Sequence, residues 1–543
     1  MVFARRSTTL LAAIIASCAM VLSLTACTSD NKTVVDGQTT VTSNSAGGVA
    51  VFTPSDGITL NQQTPLNKWA KLVPDLAKAL ADAGFKKGDI NHTTSDSLDK
   101  QSRAIQDFVV DHLSNNTTDD SGIAIAPDNM TLLVAPVVEA DASTRQYGDY
   151  VSQNLSTNDV TDEGATSDGE SSEDDSSKDD SSNTESDSTA SDEQAQAVDR
   201  LVSSLKLAKE SGMHVVLLGN SIEGYKPDAF VKFSDAQTIG KLQAEKMVSK
   251  LKLDKASKDN PKYIEVLLPY TAVDEKGNAN DSMFAQEAFR GIWQVLGSYY
   301  QKGVVESPSG TLDGKSTEND WQAVAYDAAK EGSTAKVLDK RLAKTDGQST
   351  LTRIDGIITM NDYIASEVVK ELDDLGYTGS AADINPQITI SGIVGNITGK
   401  KDLSRDAVPD PIKSPENDNA NDSSSSDDDA DEDTSASDKD RDSQWPLVTG
   451  YGAYVSNIPS IVNGKQWMTG MEDRQTIATD IAQACAKLNK DEALNSMPSI
   501  RNSEVGGVKK IPTISEPLLA VSASNLKSAL IDPGYISLAD AGL

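Results

Sequence analysis

Short apolar runs alternate with longer amphipathic stretches along most of this 543-residue chain, and that cadence limits it to an α/β architecture. The runs at residues 48–53, 131–136, 214–218, 263–268, 356–359, 387–393 and 447–449 have strand length and are apolar nearly throughout, as strands buried on both faces are. Between them, residues 66–83, 98–113, 195–211, 236–251, 283–296, 321–331, 363–375 and 473–487 place apolar side chains at helical spacing. Strand, helix, strand at this rhythm predicts parallel sheets covered by helices on both faces. The rhythm occurs in two sets, so two Rossmann-like sheets are expected to face one another across a cleft. Ligands in such sheets bind beyond the carboxyl ends of the strands.

Two stretches interrupt the cadence. Residues 155–196 hold 14 acidic residues and one lysine, and residues 411–444 hold 12 acidic and three basic ones. They carry −13 and −9, together −22 of the net −33, and account for much of the low hydrophobic fraction of 38%. With so few apolar residues they cannot bury enough surface to offset their ordering entropy, and both are expected to be disordered acidic insertions. An acidic chain repels nucleic-acid phosphates, which excludes that partner class, and it gains nothing from anionic lipid. The run from Asp427 to Asp433 lacks the glycine and closing glutamate of an EF-hand loop, so no metal site is drawn there.

The first 27 residues have the layout of an export signal: Arg5 and Arg6, an apolar stretch over residues 10–24 too short to span a bilayer, and small residues before Cys27. Leu24-Thr25-Ala26-Cys27 resembles the bacterial lipobox, whose cysteine is lipidated and becomes the mature N-terminus. The expected product is a lipoprotein on the extracytoplasmic face of the cell membrane, with residues 28–46 as a flexible tether. Cys18 leaves with the signal and Cys27 carries lipid, so Cys485 is left alone, on a helical stretch where a small buried hydrophobe fits. His92, His112 and His214 are scattered without metal-ligand spacing. No cofactor is expected.

Four segments, in order, resemble the type I periplasmic-binding-protein family, and within it the xylose and multiple-monosaccharide solute-binding proteins of ABC importers. They are Phe233-Ser-Asp-Ala-Gln-Thr-Ile-Gly-Lys-Leu-Gln243, Thr359-Met-Asn-Asp362 with the following Leu375-Gly-Tyr, Ile461-Val-Asn-Gly-Lys-Gln-Trp-Met-Thr469, and the closing Ile511-Pro-Thr with Pro517, Val521, Asn525 and Pro533-Gly-Tyr. The resemblance implies an N-terminal lobe of residues 47–220 and 452–510 and a C-terminal lobe of residues 221–451 and 511–543. The chain would cross between lobes near Asn220, Tyr451 and Pro512. It also implies a sugar between the lobes, a permease as partner and a monomeric receptor.

A sugar pocket must pair many hydroxyls at once, using charge-assisted bonds and aromatic faces. The positions that match the family's site are Trp69, Asn220, Asp235, Asn280, Asp281, Trp321, Asn361, Asp362 and Tyr451. The departures are systematic. Gly219-Asn220 replaces an Asp-Arg clamp, Ser234 and Asp235 replace an Asp-Asn pair, and Gly452 replaces an aspartate. Each candidate also has a structural use: tryptophans anchor cores, and Asn and Asp cap helices. The sequence therefore supports a carbohydrate-binding protein of an ABC importer. It leaves open a surface lipoprotein with a degenerate sugar site, acting in sensing or interaction. No histidine-paired nucleophile or nucleophile elbow is present, so an enzyme is not expected.

Overall fold

The strands of the larger sheet are apolar on both faces because both faces are covered. In the computed structural model, β1 (Gly48–Pro54) sends Val49 and Val51 to one core and Ala50 and Phe52 to the other. β3 (Met130–Val134) and β4 (His214–Leu218) alternate in the same way. This is the period of a pleated strand with no solvent face. α1 (Trp69–Asp82) and α8 (Arg474–Leu488) cover one side; α2 (Leu98–Asn115) and α3 (Glu185–Glu210) cover the other. With β2 (Ile90–Ser95), β5 (Ala229–Lys232), β11 (Ile500–Val505) and β12 (Val508–Ser515), the sheet has the order β11-β12-β5-β4-β3-β1-β2. Every neighbouring pair is parallel except the β11-β12 hairpin.

The second sheet is smaller and wholly parallel, in the order β7-β6-β8-β9, from β6 (Lys262–Val266), β7 (Val305–Glu306), β8 (Gly356–Ile358) and β9 (Leu447–Val448). It packs with α4 (Ala236–Leu251), α5 (Met283–Gln301), α6 (Ser333–Arg341) and α7 (Asp362–Leu375) in one continuous core. α4 and α5 lie so close that a Cβ on Gly240 would stand 2.2 Å from the Ala288 carbonyl oxygen, and one on Gly291 2.0 Å from that of Gln237. Only glycine permits that approach. β10 (Met468–Met471) pairs antiparallel with β13 (Leu519–Ser522), and a further apolar cluster around Ile458, Ile461, Leu526 and Leu530 packs at this junction. The molecule is thus an α/β protein of two Rossmann-like lobes, the architecture expected from the cadence.

The structure describes residues 32–35, 38–41, 46–55, 65–115, 125–138, 142–151, 153–156, 185–273, 282–328, 330–343, 350–381 and 444–543. Residues 1–45 form a separate unit containing an antiparallel pair, Lys32–Val35 with Gln38–Val41. Cys27 and the signal, most of both acidic runs, the strand expected at 387–393, and Asn280 and Asp281 lie outside the described residues. Among the described residues no helix is long and apolar enough to cross a membrane.

Four boundaries differ from the sequence reading. The first passage between lobes falls at residues 233–235, because β5 still pairs in the larger sheet; Asn220 lies well inside the first lobe. Pro512 lies within β12 of that same sheet, so the third passage follows Ser515. Helix α3 begins at Glu185, ten residues before the expected start at 195, and takes in the end of the first acidic run. The expected helix 321–331 is a single turn, Trp321–Val324, after which Ala325–Tyr326 pairs with Leu268–Pro269. β2 carried no strand signal because it is the sheet's edge and its consecutive residues Asn91, His92, Thr93 and Thr94 are exposed.

Candidate functional site

The carboxyl end of β3 precedes a segment that lies between the lobes. Its residues 144–151 and 153–156 form a strap that touches both sides. On the first lobe, Asp149 accepts from Trp69 N at 3.0 Å, capping α1, and pairs with Lys68 at 2.8 Å. Asp149 N donates to Asn67 O, and Tyr150 Oη donates to Lys68 O at 2.5 Å. Gln153 N donates to Asn220 Oδ1, whose own Nδ2 donates to Pro136 O. The strap then adds a short strand, Asn154–Leu155, parallel to Ser221–Ile222.

On the other side, Asn361 Nδ2 of the second lobe donates to Gln146 Oε1 at 3.1 Å, and Tyr454 Oη, just after the second passage, donates to Gln146 O at 2.7 Å. Tyr147 is buried within the second lobe's core, its ring 4.7 Å from Phe284 and 6.3 Å from Tyr451. Tyr150 lies across Trp69 and Phe233 at 5.1 and 4.8 Å. Six aromatic rings therefore occupy the centre between the lobes: Trp69, Tyr147, Tyr150, Phe233, Phe284 and Tyr451. At two of the substituted positions the backbone itself favours glycine: Gly219 has φ = 72° and Gly452 has φ = 112°.

Two buried carboxyls brace the passages. Asp362 accepts from Tyr454 N, Gln466 Nε2 and Thr469 Oγ1 at 2.9, 2.7 and 2.9 Å, tying α7 to the second passage. Burial raises its pKa to about 6 against the pull of those donors. Glu472 Oε1 accepts from Ser234 N at 2.6 Å and from Tyr451 Oη at 3.3 Å, joining the first passage to the second. Burial pushes it up to about 7. The Tyr451 hydroxyl, also held up by burial and then by the Glu472 charge, sits 2.5 Å from Ser234 Oγ.

Beside this packed centre an open cavity of about 810 Å³ remains, bounded by both lobes and by the first passage. Phe230 and Phe284 give it apolar walls; Gln153, Asn154, Ser221, Lys232, Asp235, Gln237, Glu287 and Glu504 give it polar ones. Asp235 caps α4 through Thr238 N at 2.7 Å and pairs with Lys232 at 2.9 Å. Burial alone would raise its pKa, but the Thr238 and Lys232 bonds hold it below the usual range. Trp321 lies elsewhere, edge-on to Tyr270 at 5.1 Å, in a groove of about 570 Å³ on the second lobe. Among the described residues no His, Cys, Asp and Glu cluster could hold a metal ion.

Of the described candidates, Trp69, Asn220, Asn361 and Tyr451 contact the strap, Asp362 braces the second passage, Asp235 lines the cavity and Trp321 lines the separate groove. Asn361 also caps α7 through Ile364 N at 2.9 Å. Sequence reasoning missed Gln146, Tyr147, Tyr150, Lys232 and Glu472. The pair Tyr147-Gly-Asp-Tyr150 was a signal: two aromatics around a turn, directly after a strand's carboxyl end, stand where ligand-contacting loops stand.

No protein-family model matches the chain, and no curated protein matches it. It is similar to several solved structures at low identity. A solute-binding protein of an ABC transporter from Clostridium phytofermentans with bound β-D-glucose is 17% identical, with 91% of this chain and 99% of that one covered at a TM-score of 0.45. A carbohydrate transporter solute-binding protein from Chloroflexus aurantiacus in complex with D-glucose is also 17% identical, covering 92% and 98% at 0.43. A sugar ABC transporter from Actinomyces odontolyticus is 11% identical, covering 89% and 97% at 0.44.

Proposed function

We propose that this protein is an extracytoplasmic solute receptor, anchored through Cys27, that binds a polyhydroxylated small molecule between its lobes and passes it to an ABC permease in the same membrane. The observation that carries the reading is the 810 Å³ cavity with walls from both lobes and from the first passage. Its volume is that of a small-ligand site, and its mixture of aromatic faces, amides, hydroxyls, carboxylates and one lysine suits a sugar's alternating apolar and hydroxyl surfaces. A ligand touching both lobes favours the closed arrangement by its extra contacts there, which is how a receptor reports occupancy. The chemistry is binding without bond-making.

The test is a thermal-shift and calorimetric screen of D-xylose, D-glucose and a panel of oligosaccharides. A sugar at one hundred times its Kd should add about 2.7 kcal/mol of stability, and Lys232→Ala should abolish the shift. The second reading, a surface lipoprotein acting in sensing or interaction, is favoured by one observation: four candidate sugar residues are already engaged by the strap. Absence of any saturable shift across the panel would make it the better account.

A further inference from the structure

The strap does between the lobes what a ligand does: it contacts both at once, through the residue positions a solute would use. Gln146 meets Asn361 of the second lobe and Tyr454 just after the second passage, and Tyr147 inserts against Phe284 and Tyr451. A few residues on, Asp149 and Tyr150 hold Lys68 and Trp69 of the first lobe. From this geometry we infer that the strap is an internal ligand, which fills the central subsite and holds the lobes closed without solute. Gln146 and Tyr147 lose their second-lobe partners when the lobes separate, whereas the Asp149, Tyr150 and Gln153 contacts to the first lobe persist, so the strap favours closure by the strength of two residues. Solute binding is thereby confined to the side cavity, one wall of which is made of the strap residues Thr144, Gln153 and Asn154. The inference rests on the two-lobed receptor reading only for that last consequence; closure by the strap stands without any solute.

The experiment measures the distance between lobes by electron-electron double resonance. Spin labels are placed at Lys78→Cys on α1 and Lys340→Cys on α6, both exposed, in the full chain with Cys18→Ser and Cys27→Ser; Cys485 is buried. Without sugar, the parent should give one short, narrow distance. Tyr147→Ala combined with Gln146→Ala should raise the longer-distance population about tenfold, as loss of a modest bias in a two-state equilibrium does. Gln146→Ala alone, which removes no packed ring, should give a smaller rise and keeps the test open if the double variant does not fold. A parent already distributed over long distances overturns the inference, and so does a folded variant whose distances match the parent's. Neither arm contains sugar, so failure of the sugar screen and failure of this inference are separate results.

Discussion

The centre between the lobes and the cavity beside it are built from opposite materials. The centre is aromatic and tightly packed: Tyr451, Asn361 and Asp362 have no solvent exposure, and Trp69 has 3%. The cavity is open and lined by partly exposed charged and amide groups with a few aromatic faces. The same first passage serves both, since Phe233 and Ser234 face the centre while Lys232 and Asp235 face the cavity. The contrast teaches that adjacent residues on one connecting segment can be committed to stability and to recognition separately. Buried polar groups at the centre must be fully paired or they cost heavily, whereas groups in the cavity keep water as a partner until a ligand replaces it.

The packed centre is most sensitive at Asp362. Asp362→Ala strands the donors of Tyr454, Gln466 and Thr469 in a dry site and should cost about 4 kcal/mol of unfolding free energy, measured by denaturant titration. Next comes pH. The folded Glu472 carboxyl keeps its proton up to about pH 7, while an unfolded glutamate releases it near 4.5. Its contribution to stability is therefore full below about 4.5 and is lost as pH rises through 7, an effect of about 3 kcal/mol for a shift of this size. Glu472→Gln should flatten the fall in stability between pH 5 and 7 relative to the parent; an unchanged slope would show that Glu472 does not titrate there. Tyr451→Phe removes one hydroxyl shared by Ser234 and Glu472 and should cost about 1–2 kcal/mol. Smallest in stability is Lys232→Ala, in the cavity, expected within about 1 kcal/mol of the parent because its ion pair with Asp235 is solvated. Its effect should instead appear as lost sugar binding. If Lys232→Ala destabilises the fold as much as Tyr451→Phe, the division between the two regions fails.

Much of this was legible along the chain. The alternation of strand-length apolar runs with helical stretches placed β1, β3, β4, β6, β8 and β9, since strands buried on both faces leave an unmistakable apolar run. Caps were legible too: Asn361 and Asp235 hold the first turns of α7 and α4, because an acceptor before a helix has a local partner three residues on. The loss of the family's charged sugar clamps at Gly219, Ser234 and Gly452 was visible, and it marked the region whose chemistry had changed.

What replaced those clamps was decided only in three dimensions. Tyr147 and Tyr150 carry no period, and nothing local ties them to Tyr451 and Trp69, about three hundred and eighty residues apart in a chain where each is merely an aromatic in a turn or before a helix. The passage between lobes moved from Asn220 to residues 233–235 because β5 is completed by β12, a partner that arrives from the far end of the chain. Neighbours within a few positions set the strands that are buried on both faces, most of the helices and the caps of α4 and α7, whereas the edge strand β2 and the single turn at Trp321–Val324 were not readable from them. Tertiary structure alone decided that Trp69, Asn220, Asn361 and Tyr451 serve the strap, leaving Asp235 to face an open cavity, because both outcomes depend on which distant surfaces exclude water from one another.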